Sequence, residues 1–328
     1  MKIAVLGAGA WGTALAISLC SRHGVTLWTR DAAQCADMQT TRRNRRYLPE
    51  CELPQALEIA TDFAAVLNAA DLAIVVVPIS AFRQILQSVR ASRSSLPVVW
   101  ACKGFETGSA QLPHEIARQE LAPDAPCGVL SGPSFALEVA RGLPTALTFA
   151  SGDPNFGPAT AAQLHSPRLR LYSSDDVVGV EIAGAVKNVM AIAAGICDGL
   201  ELGNNARAAL ITRGLAEISR LGLKLGGRAD TFMGLAGAGD LILTCTGDLS
   251  RNRRVGMLLA EGWPLAEILN RLGHVAEGVP TAREALRLAE QHQVDMPITR
   301  AVCQVLHQGV APANAVEALL NRDPKAES

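Results

Sequence analysis

The sequence predicts an α/β chain in two parts, a doubly wound parallel sheet followed by an all-helical domain. Three observations carry this. Short apolar runs alternate with helical stretches over the first half. A GxGxxG motif joins the first strand to the first helix. From about Val177 the apolar period lengthens and the β-rich runs stop.

Taken in order, residues 2–6 (KIAVL) read as a strand, 13–22 as a helix and 25–28 as a second strand. Further strands fall at 72–77 (LAIVVV), which Pro78 ends, and at 98–101 and 128–130. Such unbroken apolar runs suit strands covered on both faces. Segments 145–149 and 169–172 extend the same sheet. Helices are expected at 177–202, 206–225, 252–261, 264–272, 280–292, 297–308 and 312–321, punctuated by Gly and Pro. The boundary is drawn near 178, giving domains 1–178 and 179–328, and the tail 323–328 is expected to fray.

Composition narrows the function. Thirty Lys plus Arg stand against 31 Asp plus Glu, a net charge of −1, which argues against a polyanion as main partner. Aromatic residues make up only 4%, too few for a base-stacking platform. The eight cysteines include no CxxC pair and mostly sit in apolar runs, so reduced, buried thiols are expected. The histidines form no HExxH and no Cys/His cluster, and no metal is expected. The apolar stretch 3–20 resembles a signal peptide, but its patterned glycines and missing cleavage site argue against one. Segment 177–202 is long enough to cross a membrane yet carries Glu181, Lys187, Asn188 and Asp198, so a soluble, cytoplasmic chain is expected.

Gly7-Ala-Gly9-Ala-Trp-Gly12 lies directly after one strand and before a helix. There the first glycine allows a tight turn, the second lets backbone approach a pyrophosphate, and the third permits close helix–sheet packing. The helix start adds N–H donors and a positive dipole end. Its place in the first βα turn makes the motif a dinucleotide site of the Rossmann type. An acid at the end of the second strand would bind a ribose 2′-hydroxyl, and an arginine a 2′-phosphate. Residues 28–31 (WTRD) supply both. Arg30 comes first, which tilts the reading to NADP while NAD stays open. The basic run Arg42 to Arg46 either lies near the cofactor or is a solvated loop.

At the chemical end, Lys187 and Asn188 interrupt an apolar helix. Partial burial disfavours an ammonium and would lower the lysine towards neutral, as proton transfer requires. Residues 233–240 (MGLAGAGD) place Asp240 after three glycines, in what reads as a close-backbone loop. Ser250 is positioned to cap a helix whose start, with Arg251 and Asn252 beside it, suits a phosphate. Lys103 and the Gly132–Ser134 loop follow two strands at the sheet edge where ligands gather.

Together these segments resemble bacterial NAD(P)-dependent glycerol-3-phosphate dehydrogenase. The matching pieces are GxGxWG at 7–12, RYLP at 46–49, CKGFE at 102–106, SGPSFA at 131–136, AVKNV at 185–189, GAGDL at 237–241 and SRN at 250–252. The resemblance runs from about residue 2 to 310. It implies that Lys187 is the proton acceptor or donor at the C2 oxygen, with Lys103 and Asp240 orienting the reacting oxygen. It places Asn188 and Thr244 close by, Ser250, Arg251 and Asn252 on the phosphoryl group, and Gly132 and Ser134 in the substrate pocket. It assigns Ala10, Trp11, Arg30, Lys103, Ala136, Arg251, Val275 and Glu277 to the nicotinamide nucleotide, beside Gly7, Gly9 and Gly12. The family often has a serine where this chain has Ala10, so only a backbone contact can survive there. The resemblance also implies a homodimer supplying glycerol 3-phosphate for phospholipid synthesis. Rival readings are a 6-phosphogluconate or 3-hydroxy acid dehydrogenase, a non-catalytic NADPH-sensing regulator, and a nucleic-acid module built on Arg42 to Arg46.

Overall fold

The computed structural model describes residues 1–273 and 276–323. Val275 and residues 324–328 of the expected tail lie outside the described residues. The chain forms two compact units, one of Met1–Lys103 and Gln111–Glu181, the other of Gly104–Ala110 and Ile182–Ser328.

The first unit holds the strands β1 (Lys2–Leu6), β2 (Gly24–Trp28), β3 (Arg43–Asn44), β4 (Leu48–Glu52), β5 (Glu58–Ala60), β6 (Leu72–Val75), β7 (Val98–Trp100), β8 (Cys127–Ser131), β9 (Thr145–Ala150) and β10 (Leu169–Ser174). Eight form one sheet in the order β10-β9-β8-β7-β6-β1-β2-β5, while β3 and β4 pair as a separate antiparallel hairpin. Ile3, Val5, Leu27, Leu72, Ile74 and Val99 sit in its apolar core, as strands covered on both faces require.

The sheet departs from the expected all-parallel pattern at one pairing: β8 and β9 run antiparallel. The cause lies in their connection. Its helix, Ala136–Ala140, has five residues and so spans only about 7.5 Å. A return beside a five-residue strand needs about 16 Å. The chain therefore turns back from the edge at which it left, and β10 follows β9 in that reversed direction.

The second unit contains helices and no strand among the described residues. The helix Val177–Gly199 starts in the first unit and forms the core of the second, where Ile182, Val186, Val189 and Ile192 are fully enclosed. It is long and apolar enough to cross a membrane, but 89% of its most apolar window is buried inside the protein. A core helix meets the same length and composition test as a span. Helix Gly203–Lys224 brings Glu217 to the start of helix Pro297–Gln308. There Glu217 accepts from the Ile298 N–H at 2.6 Å and from the Thr299 N–H and hydroxyl at 3.1 and 3.0 Å. Burial pushes its carboxyl up to about 7. All eight cysteines are free, and six of them are buried.

Candidate active site

The glycine turn is built almost wholly from backbone. Gly7 has φ +122°, and a Cβ there would stand 2.4 Å from the Val76 carbonyl oxygen. A Cβ at Gly12 would stand 1.9 Å from the Gly7 oxygen. Gly9 differs from both. Its backbone is extended, and a Cβ would meet nothing within 4 Å. No protein atom requires a glycine there, and the open space fits the close approach of a phosphate. Gly9 also precedes helix Ala10–Leu19 without a side-chain cap, so the helix start faces that space with its N–H groups. Ala10 opens this helix, and the half-buried Trp11 packs against the core beside it.

A buried polar clasp that the sequence reading missed holds this turn. Asn44, fully buried, donates to the Ala8 carbonyl at 3.0 Å and to the Thr13 hydroxyl at 2.8 Å. Gln34 donates to the same carbonyl at 2.9 Å. Asn44 sits in the middle of the arginine run, whose charge masked it. Within that run Asn44 alone is buried, while Arg43, Arg45 and Arg46 are exposed, as a solvated segment would be. Arg43 and Asn44 form β3, Arg42 donates to the Leu57 carbonyl, and Arg45 faces Asp37 at 3.4 Å.

After β2, Arg30 is exposed. Asp31 caps helix Ala32–Thr41, accepting from the Ala33 and Gln34 N–H groups at 3.0 and 3.1 Å. Strands β1, β6, β7 and β8 are parallel neighbours. The glycine turn, Lys103 and Gly132 therefore issue from one edge of the sheet. Gly132 has φ +138°, Ser134 donates to its carbonyl at 3.0 Å, and Ala136 starts the next short helix. Deeper in this unit, Glu181 accepts from Trp100 Nε1 at 2.8 Å and from His114 Nδ1 at 2.6 Å. Burial raises the Glu181 carboxyl. Burial also works to lower His114, but the hydrogen bond and charge of Glu181 outweigh it and leave the imidazole raised.

In the second unit a lysine meets two residues distant from it in sequence. Lys187 is 6% exposed, and its Nζ donates to Asp240 Oδ1 and, at 2.9 Å, to the Thr244 hydroxyl. The segment before Asp240 is not the loop expected from its glycines. Leu235–Gly239 forms a π-helical turn that runs into helix Asp240–Thr246. Gly237 makes this possible, because a Cβ there would stand 2.0 Å from the Phe232 oxygen. Asp240 thus opens a helix, and Thr244 lies one turn on, beneath the same amine.

Ser250 caps helix Arg251–Ala260 as expected, accepting from the Arg253 N–H at 3.3 Å. Arg251 is exposed beside it. The amide of Asn252 is spent inside the protein. Its Nδ2 donates to Asn188 Oδ1 at 2.9 Å, and its Oδ1 accepts from the Gly278 N–H at 3.0 Å, next to Glu277. This helix meets the Lys187 helix backbone to backbone. A Cβ at Gly195 would stand 1.9 Å from the Arg253 oxygen, and one at Gly256 2.0 Å from the Ile192 oxygen. Asp198, read in sequence only as a charge that disfavours a membrane span, locks the contact by accepting from Arg253 Nε at 2.7 Å and from Arg207 at 2.9 Å. Among the described residues no group of three or more His, Cys, Asp or Glu side chains stands together as a metal-ligand set.

Comparison with known proteins gives this arrangement a family. The model of the N-terminus of NAD-dependent glycerol-3-phosphate dehydrogenase matches residues 2–157, and that of its C-terminus matches 176–317. The chain belongs to this family. Its members include a relative from Nitrosospira multiformis, named glycerol-3-phosphate dehydrogenase [NAD(P)+], that is 62% identical over 331 residues and covers 100% of this chain and 99% of its own. A relative of the same name from Aromatoleum aromaticum is 57% identical over the whole of both chains. The crystal structure of glycerol-3-phosphate dehydrogenase from Coxiella burnetii superposes with a TM-score of 0.93 at 43% identity, covering 98% of this chain and 99% of that one. These matches do not favour the 6-phosphogluconate, 3-hydroxy acid or regulator readings.

Proposed function

We propose that this chain is an NAD(P)-dependent glycerol-3-phosphate dehydrogenase that reversibly reduces dihydroxyacetone phosphate to sn-glycerol 3-phosphate. Residues 1–178 serve as its dinucleotide-binding domain and 179–328 as its substrate and catalytic domain. One observation carries the reading within the family: a buried lysine amine, Lys187, held by Asp240 and Thr244 in an otherwise apolar helical core. Burying a charged pair is costly, and a purely structural role would be served as well by apolar side chains.

The nicotinamide nucleotide, when bound, supplies or takes up the hydride at C2. Lys187 gives a proton to the C2 oxygen as the carbonyl becomes a hydroxyl, and takes it back in the reverse direction. Asp240 and Thr244 fix the amine, and Lys103 and Asn188 help to orient the reacting end. Arg251, with Ser250 and the main-chain N–H groups of the helix start, that of Asn252 included, holds the phosphoryl group by charge-assisted hydrogen bonds. Gly132 and Ser134 line the substrate pocket. The open cradle at Gly9 fits the dinucleotide, with Gly7, Ala10, Trp11, Gly12, Arg30, Lys103, Ala136, Arg251, Val275 and Glu277 as its further contacts. The exposed Arg30, first after β2, supports NADP over NAD, because an arginine there can pair with a 2′-phosphate. The enzyme acts in the cytoplasm as a homodimer that feeds glycerophospholipid synthesis.

The test is turnover of dihydroxyacetone phosphate by the purified chain with NADPH and NADH side by side, followed at the nicotinamide absorbance. Oxidation of either nucleotide that depends on dihydroxyacetone phosphate, with the larger kcat/KM for NADPH, is expected. Cofactor binding without turnover would overturn the reading.

A further inference from the structure

Lys103 lies between two fixed points. Three residues before it, Trp100 ends β7; directly after it, Gly104–Ala110 belongs to the helical unit. This strap is held firmly. Phe105 and Ala110 are buried, and Gly104, Gly108 and Ala110 all take positive φ values of +115°, +89° and +56°. A Cβ at Gly108 would meet nothing within 4 Å, so backbone angle rather than space calls for glycine there.

Two side chains one turn apart on helix Gly278–Gln291 grip the strap at that residue. Glu284, 4% exposed, accepts from the Gly108 N–H at 3.0 Å. Arg287 donates to the Gly108 carbonyl at 2.8 Å, and the two side chains pair with each other at 3.1 Å. A buried carboxylate spent on one arginine and one loop amide is a costly way to hold a surface connection. It becomes intelligible if the loop's position matters to the chemistry.

We infer that Glu284 and Arg287 are positioning residues for Lys103: their two-point clamp on Gly108 fixes the strap that begins at the next peptide bond. The inference rests on the proposed role of Lys103 in orienting the reacting oxygen. Neither clamp residue touches substrate or cofactor in this account. Each acts through the main chain.

The experiment is a double-mutant cycle on the full-length enzyme, combining E284A or E284Q with K103A. Its readouts are kcat, KM for dihydroxyacetone phosphate, NADPH affinity by fluorescence titration, and Tm. E284A should lower kcat/KM between about ten- and a hundredfold, the scale of a misplaced reactive group, with NADPH affinity unchanged. E284Q, which keeps an acceptor for the Gly108 N–H, should restore most of that loss. In the K103A background E284A should cost nothing further. An equal loss in both backgrounds would overturn the inference, since the clamp would then act independently of the lysine. Should K103A alone leave kcat/KM unchanged, the proposed role of Lys103 fails on its own account and the inference fails with it. R287M, at a half-exposed side chain, repeats the cycle if E284A does not fold: a loss that disappears with K103A supports the clamp, and an additive loss overturns it.

Discussion

The glycine turn and the lysine centre solve opposite problems. The turn from Gly7 to Gly12 is local, contiguous and made largely of main chain, with no room for a Cβ at Gly7 or Gly12. The lysine centre is assembled from residues 53 and 57 positions apart, and consists of side chains enclosed in apolar helix. An anion held by N–H groups needs close backbone approach, whereas proton transfer needs one titratable group at a fixed place. The difference teaches that the two ends should fail in different ways.

The sharpest break in the comparison is Lys187→Ala. It should lower kcat by about 10²- to 10⁴-fold while NADPH affinity, measured by fluorescence titration, stays within about twofold. Full turnover in this variant would remove the proton-transfer assignment. Next come the glycines, which separate folding from binding. Gly12→Ala forces a Cβ against the Gly7 oxygen and should cost about 1–3 kcal/mol in urea unfolding, as overpacking does. Gly9→Ala enters open space. It should leave that unfolding curve unchanged and still weaken NADPH about tenfold or more, through lost phosphate contacts. Equal effects of both variants on stability would end the distinction. Arg251→Ala should raise KM for dihydroxyacetone phosphate by roughly tenfold, the value of a charge-assisted hydrogen bond, with kcat little changed. Loss in kcat alone would move Arg251 from anchor to chemistry.

The smallest effect lies away from both ends, at Glu217. Its folded carboxyl titrates at about 7, against 4.5 for the ordinary group. The folded chain therefore keeps a proton that the unfolded chain releases first. The stability from this group is fully present below about pH 4.5 and is lost as pH rises through about 7, at no more than about 1.4 kcal/mol per pH unit. Unfolding of wild type and Glu217→Gln across that window should show the smaller slope in the second.

The same contrast explains what was legible in the sequence. The turn could be read because its residues are neighbours and their spacing follows directly from backbone sterics. The strands and helices that flank it carry their periods openly. The β3–β4 hairpin was hidden by its arginines, and with it Asn44, whose importance comes from burial rather than residue type. The reversal at β9 depends on how far a five-residue helix reaches, which apolar periodicity does not express. At the lysine centre, Asp240 stood out as an acid after glycines. That those glycines wind a π turn depends on the Phe232 backbone beneath them.

The glycine contact between helices Val177–Gly199 and Arg251–Ala260 has a wider consequence. Two main chains in touch act as a gauge block: they set the spacing of the two helix axes to a length that no rotamer can alter. Neighbouring side chains are then at liberty to drift over evolutionary time, while a single methyl at Gly195 or Gly256 would force the two helices apart.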